Sequence, residues 1–420
     1  MRGQEKLRLL IVCGHPVQYM SPILRQLSQQ PNIEVQVAYC SLSGAMPAHD
    51  PEFDRTVQWD VPLLDGFDWV EIPNLGSGKE GFWDLNNPGL WTLIRRGKFD
   101  AVICLTGYIR ASFWIAYFAA RRYRAAFLFG TDATSLFPRD SRPWKVGLKR
   151  LFWPWLFGLA DQAIVGSSAG VELMRSLGLP SERITLTPFV VDNDWWLEQA
   201  SRVDRAKVRE SWNISSHDLV VLFCAKLQSW KRPIDLLRAF AVAAVPDSVL
   251  VFAGEGPLRE ELISEAEQLG IRTRVRFLGF TNQSQLPAVY SAADLFVLPS
   301  AYDPCPVVVC EAMLCALPVL LSDEIRGRFD LVSVGETGEI FPCGDVRALS
   351  CALRRLLMDP DLLSRLAKNA RIRMETWAPR DNIVATIQAV RLAVGHRRHG
   401  SANRGSNTSG PAIPSEAEKS

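Results

Sequence analysis

Paired cysteines are missing from this sequence. Its nine cysteines are odd in number, and none clusters with any of the five histidines. No two stand in a Cys-x-x-Cys step; Cys305, Cys310 and Cys315 are spaced like core or turn positions. This excludes an ordinary zinc site and a disulfide framework, and it fits free thiols in a reducing compartment. An excess of one charge is missing too. Lysine and arginine number 47 against 45 acidic residues, a formal net charge of +2. Bulk charge therefore offers no grip on nucleic acid, and no such partner is expected. Long apolar runs are scarce. Residues 9–13 follow Arg2, Lys6 and Arg8, but the run is too short for the apolar part of a signal peptide and reads as a first buried strand. Residues 101–120 are about long enough to cross a bilayer. Arg110 stands in their middle, at a cost of roughly 2.5–3.5 kcal/mol for insertion, and Thr106-Gly107 interrupts them. They read as a strand over 101–105, a turn, and a helix over 111–121. Acidic clusters are rare as well. Asp192-Asn193-Asp194 has an Asp-x-Asp spacing, but two aspartates this close are common in loops and no second acidic group supports them. No metal is expected.

What is present is alternation. With 420 residues, 48% hydrophobic and 22% charged, the chain can build two or three cores of usual size. Apolar, β-branched runs predict strands at 7–13, 33–39, 100–105, 127–129, 161–166 and 183–186, then at 219–225, 249–253, 275–278, 295–298 and 319–321. Helical patterns lie between and after them, at 21–30, 234–243, 258–269, 286–291, 307–314, 346–358 and 360–376. Strands alternating with helices predict parallel sheets covered by helices. The expected fold class is α/β, two doubly wound (Rossmann-like) domains facing one cleft. The first domain is expected over 1–195, a polar interdomain segment over 196–217, the second domain over 218–378 and a helix over 379–395. Residues 396–420 are polar and rich in Gly, Ser and Pro, and are expected to be disordered. Residues 41–92, with many Pro, Gly, Asp and Trp, read as one long irregular connection, which is usually functional or mobile. Residues 141–158 mix Lys and Arg with Trp and Phe. Two readings of them stay open, a membrane-surface helix and a buried helix with a basic rim.

The chain is organised around residues 293–323, ADLFVLPSAYDPCPVVVCEAMLCALPVLLSD. A short apolar strand ends at Pro299-Ser300-Ala301. Asp303-Pro304 then reads as a helix start, with Asp as N-cap and Pro in the first turn. The helix spans 307–314 and a second strand follows. The turn lies at the carboxyl end of a strand, where open parallel sheets bind ligands. Asp303 and Glu311 have seven residues between them. Singly, Asp303 is accounted for as a cap and Glu311 by the positive end of the helix. Together they flank backbone N–H groups at a helix start, a ready site for phosphate. A sugar nucleotide, with phosphates in the middle and hydroxyls at both ends, fits such a site. Lys226 and Lys231 follow the first strand of the second domain, so two ammonium groups stand where a pyrophosphate could be neutralised.

This stretch resembles the carboxylate-x7-carboxylate signature of the group-1 (family 4) retaining glycosyltransferases of the GT-B fold. Glu311-Ala312-Met313 matches, while Asp303 stands where the family usually has Glu and Lys226 where it usually has Arg. The resemblance implies transfer from a nucleoside-diphosphate sugar to a glycan, lipid-linked or small-molecule acceptor, with no metal or other cofactor, in the cytoplasm or at the inner face of the membrane. Contact with the membrane would run through 141–158, and the helix over 379–395 would return to the first domain. The catalytic set implied is Asp303, Lys226, Lys231, His15 and Asp132. Glu311 would hold the ribose, and Gly254, Glu255, Gly256 and Phe280 would lie along the nucleotide. Asp303 and the backbone of Pro306, Val307 and Val308 would hold the sugar and phosphates. Gly14, Gln18 and Tyr19 are placed on the acceptor side. The alternatives are a sugar-nucleotide epimerase or sugar phosphorylase on the same fold, and a non-catalytic sugar-nucleotide-binding partner subunit.

Overall fold

The computed structural model describes residues 6–50, 55–78, 81–137, 144–304 and 306–405. Fifteen strands follow one another along these residues. The first nine are β1 (Leu7–Cys13), β2 (Ile33–Tyr39), β3 (Ala48–Asp50), β4 (Arg55–Val57), β5 (Asp68–Glu71), β6 (Ala101–Cys104), β7 (Ala126–Thr131), β8 (Gln162–Val165) and β9 (Ile184–Leu186). The other six are β10 (Leu219–Cys224), β11 (Ser248–Ala253), β12 (Val275–Gly279), β13 (Leu295–Leu298), β14 (Val319–Ser322) and β15 (Gly338–Phe341). Two sheets result, ordered β5-β2-β1-β6-β7-β8-β9 and β12-β11-β10-β13-β14-β15, with β3-β4 as a separate antiparallel ribbon. Every neighbouring pair in both large sheets is parallel.

The central strands read as unbroken apolar runs because helices cover both faces. Leu9, Leu10 and Val12 of β1, and Val220 to Phe223 of β10, are all fully buried. In each sheet the strand order reverses beside the first strand. The chain leaves β1 towards β2 and returns to lay β6 on its other side; it leaves β10 towards β11 and returns with β13. At such a reversal the crossovers run to opposite sides and leave a crevice at the carboxyl ends. The loops after β1 and β6, and those after β10 and β13, stand at these two crevices.

The lobes are tied along one side. Trp196, 1% exposed, meets Tyr290 of the second lobe edge-on at 5.7 Å. The Asn193 amide donates to Met374 O at 2.9 Å, and Trp377 Nε1 donates to Phe189 O at 2.7 Å. The last helix, Pro379–Gly405, crosses back to the first lobe. Ala389, Val390 and Ala393 bury its inner face, and Arg397 pairs with Asp161 at 3.3 Å.

Four stretches differ from expectation. Residues 41–92 are not one irregular connection: they hold β3, β4, β5 and a helix, Gly89–Gly97. β5 is an edge strand in which exposed Asp68 and Glu71 flank half-buried Trp69 and Val70, so it carries no alternating apolar signal. Residues 196–217, expected only as a polar interdomain segment, hold most of one helix, Asn193–Ser201, and all of a second, Arg205–Ser211. Arg209 is buried there and binds Asp294 at 2.6 Å, so the segment packs on the second lobe through a charge that composition alone reads as solvated. β15 begins with a glycine and has no flanking apolar run. Residues 396–405, expected to be disordered, continue the last helix; 406–420 lie outside the described residues, as does Cys305. Residues 101–120 are β6, a turn and the start of the helix Ala111–Arg122. Among the described residues no helix is long and apolar enough to cross a membrane.

Candidate functional site

On the second lobe, three strand-end loops are bonded into one layer. After β10, Leu227 N donates to Glu255 O at 2.9 Å; after β11, Gly254 N donates to Gly279 O at 2.8 Å. Glycine is required where they touch. A Cβ on Gly254, at φ +150°, would lie 2.0 Å from Ala225 O, and one on Gly256, at φ +153°, would lie 2.7 Å from Leu227 O. The Gly-Glu-Gly step is thus a close backbone approach rather than a flexible hinge. Glu255 is half-buried and lies 3.6 Å from Arg259.

The same layer meets the loop after β13. Ala301 N donates to Trp230 O at 2.7 Å, and Lys231 Nζ is bonded to the Asp303 carboxylate. These two residues are 72 positions apart in the chain, and the strand reversal between β10 and β13 brings them together. Asp303 is therefore not the helix cap that Asp303-Pro304 suggests. The helix Val307–Leu314 is preceded by Pro306, with no side-chain cap. Asp303 instead aligns its backbone with Ile325, and its carboxylate is held by an ammonium. First-turn amides of a helix lack intrahelical partners, so those of Val307 and Val308 remain as donors for an anion.

Glu311 lies within that helix, 3% exposed. Tyr290 Oη donates to its Oε2 at 2.9 Å. Burial pushes its carboxyl up to about 7, while hydrogen bonds from Tyr290 and Gln283 pull the other way. A group so balanced can ionise near neutrality and can accept hydrogen bonds from paired hydroxyls. Tyr290 and Gln283 are absent from the sequence-derived site. Nothing local marks them, since they lie 21 and 28 positions before Glu311 on another helix and loop.

The first-lobe edge faces this layer across a cavity of about 1710 Å³. Gly14, His15 and Tyr19 line it from the loop after β1, Asp132 from the loop after β7, and Lys226, Gln228 and Tyr302 from the second lobe. Asp132 is raised above the usual carboxylate range by burial, with the negative charge of Asp303 adding to the rise. Gln18 does not line the cavity. Pro306 and Val307 face a narrower crevice at the lobe junction, which shares Gly166 and Phe189 with the cavity. The loop after β6, from Thr106 to Arg110, also lines the cavity. Its place follows from the strand reversal beside β1, a signal present only once strand order is known. Phe280 meets a residue of the other lobe, Trp59, at 6.1 Å. Next to it, Ser284 N and Oγ donate to the Asp60 carboxylate. The connection 41–92 thus reaches over the cleft.

Asp192 caps the helix Asn193–Ser201 by accepting from Trp195 N at 3.4 Å, and Asp194 lies in its first turn. Among the described residues no group of His, Cys, Asp and Glu is placed to hold a metal.

Known proteins share both halves of this arrangement. The family model described as "Glycosyl transferases group 1" matches residues 204–373, and that described as "Glycosyl transferase 4-like domain" matches residues 16–189. The alpha-D-kanosaminyltransferase of Streptomyces kanamyceticus is 30% identical over 201 residues, 47% of this chain and 51% of that protein. The D-inositol 3-phosphate glycosyltransferase of Rhodococcus jostii is 31% identical over 238 residues, 54% of this chain and 52% of that protein. The chain thus spans about half the length of the curated relatives it matches. Among solved structures, Anabaena HepE in complex with UDP and glucose superposes with a TM-score of 0.68 at 18% identity, over 95% of this chain and all of that one. WaaG, a glycosyltransferase involved in lipopolysaccharide biosynthesis, gives 0.62 at 16% identity, over 92% of this chain and all of that one. At these identities the structures speak for the fold, which is GT-B.

Proposed function

The chain belongs to the group-1 glycosyltransferases, and on that premise we propose that it moves a sugar from a nucleoside-diphosphate donor to an acceptor hydroxyl with the anomeric configuration kept. The observation that carries this reading is the Lys231–Asp303 pair, standing at the strand reversal of the second lobe. The ammonium and carboxylate neutralise each other. With a donor in place, Lys231 and Lys226 would turn to the diphosphate, and Asp303 would be released to the sugar hydroxyls. The first-turn amides of Val307 and Val308 would add donors to the phosphate oxygens.

In the transfer, the bond from the anomeric carbon to the phosphate oxygen breaks and one to the acceptor oxygen forms. The departing phosphate oxygen takes the acceptor's proton on the same face, so no nucleophilic carboxylate is needed. The two ammonium groups lower the barrier by stabilising negative charge on the leaving diphosphate. Glu311 would hold the ribose hydroxyls, with Tyr290 fixing its orientation, and Gly254, Glu255, Gly256 and Phe280 would lie along the nucleotide. The acceptor, a glycan, lipid-linked or small hydroxyl compound, would enter between Gly14, His15, Tyr19 and Asp132. We place the reaction in the cytoplasm, where the free thiols would stay reduced.

Screening the purified chain by thermal shift against UDP-, GDP- and ADP-sugars identifies the donor. UDP-glucose comes first, because HepE was solved with UDP and glucose. A donor at a hundred times its dissociation constant stabilises by about 2.7 kcal/mol. Release of nucleotide only when acceptor is present separates transfer from epimerisation. Asp303→Ala should nearly abolish that release while leaving the melting curve cooperative; unaltered turnover in this variant would remove the site assignment.

A further inference from the structure

The helix Trp144–Gly158 is apolar on two opposite sides. Trp153, Leu156 and Phe157 are buried in the first-lobe core. Away from the core, Trp144, Leu148, Leu151 and Trp155 are 62%, 57%, 82% and 54% exposed. Steps of four, three and four residues put these side chains on one stripe. The stripe runs on to a second helix: Trp155 stacks on Trp114 at 6.1 Å, and Trp114 meets Phe118, 55% exposed, at 6.1 Å. Single exposed apolar residues need no explanation, but a contiguous band of them does.

The charged residues of the two helices are all basic, with Arg121 held by Asp161 at 3.0 Å. Lys145, Lys149 and Arg150 lie on the first helix, Arg121 and Arg122 on the second, and neither helix contains an acidic residue. Lys149 and Trp153 also line the cavity, and Trp153 Nε1 is bonded to Tyr108 Oη in the cavity wall at 3.0 Å. One helix thus carries both the exposed band and part of the acceptor-side wall. Two copies of this chain meeting through the band would bring their bases together with no helix carboxylate to pair them.

We propose that this two-helix face docks on a bilayer bearing anionic lipid, with the apolar band entering the headgroup boundary and the bases meeting lipid phosphates. Resting on the transferase reading, it further assigns the acceptor to the lipid-linked class, its anchor staying in the membrane while its hydroxyl reaches the cavity.

The test is sedimentation of the full chain with vesicles of phosphatidylcholine alone and of phosphatidylcholine with phosphatidylglycerol, alongside thermal shift with UDP-sugars. The wild type should sediment with the anionic vesicles and release as salt is raised. Leu148→Ser combined with Leu151→Ser should weaken binding roughly tenfold for each leucine removed, and Arg150→Ala about fivefold. Nucleotide-dependent stabilisation should be the same in all of them, which shows that the variants fold. A wild type that stays in solution, a double variant that sediments equally well, or a wild-type dimer that these leucine changes convert to monomer would each overturn the docking face. Vesicle binding without stabilisation by any sugar nucleotide would uphold the face and count against the transferase reading.

Discussion

Glu311 gives a prediction in which stability and function move in opposite directions. Its carboxyl is pushed up to about 7 from an ordinary 4.5 by burial. The folded state therefore holds this proton more tightly than the unfolded chain does. Stability from this group is fully present below about pH 4.5 and is lost as the pH rises through about 7. By pH 8 the ionised side chain costs the fold about 3 kcal/mol relative to its protonated form. Glu311→Gln removes that cost, because the amide is neutral at all these pH values and its oxygen can still accept from Tyr290 Oη. The variant should melt several degrees above wild type at pH 8, with the gap closing towards pH 5. It should also lose most of its affinity for the sugar nucleotide, since a carboxylate accepting from two ribose hydroxyls is replaced by an amide with a single acceptor. Wild-type donor affinity should fall as the pH drops through about 7. The assays are melting curves from pH 5 to 8 for both proteins and nucleotide titrations at pH 8. A Glu311→Gln protein no more stable than wild type at pH 8, or one that binds donor undiminished, would refute the reasoning.

Gly254→Ala should destabilise by roughly 2 kcal/mol or more, because its backbone lies where side chains are strained and its Cβ would meet Ala225 O; a Cβ on Gly14 meets nothing within 4 Å, so Gly14→Ala should melt like wild type, and chemical denaturation of both checks this. Asp60→Ala removes the bonds to Ser284 across the cleft and should raise the donor KM about fivefold with kcat little changed, as steady-state kinetics would show. Chelator should leave turnover unchanged, and a strict need for a divalent ion in the same assay would return attention to Asp192 and Asp194.

The strand and helix alternation, the second-lobe loops and the two carboxylates with seven residues between them were all legible along the chain. Each is a local property, set by periodicity within a few residues or by turn chemistry at a strand end. Glu311-Ala312-Met313 and the Gly254-Glu255-Gly256 step are short enough to be read without knowing what lies beside them. Local rules misread Asp303, whose place before a proline suggests a cap, because a lysine 72 positions earlier competes for its carboxylate. They also missed β5, which lies at a sheet edge and carries no apolar alternation.

The amino-acid order alone determined two doubly wound lobes and the edge of each at which chemistry would gather, because burial on both faces of a strand writes itself into consecutive residues. Only the tertiary structure decided which side chains meet there. Lys231 reaches Asp303, Tyr290 reaches Glu311, and Trp59 with Asp60 reaches the loop after β12, because strand order and lobe packing bring distant segments together. Such pairings leave no periodic trace in the segments that make them.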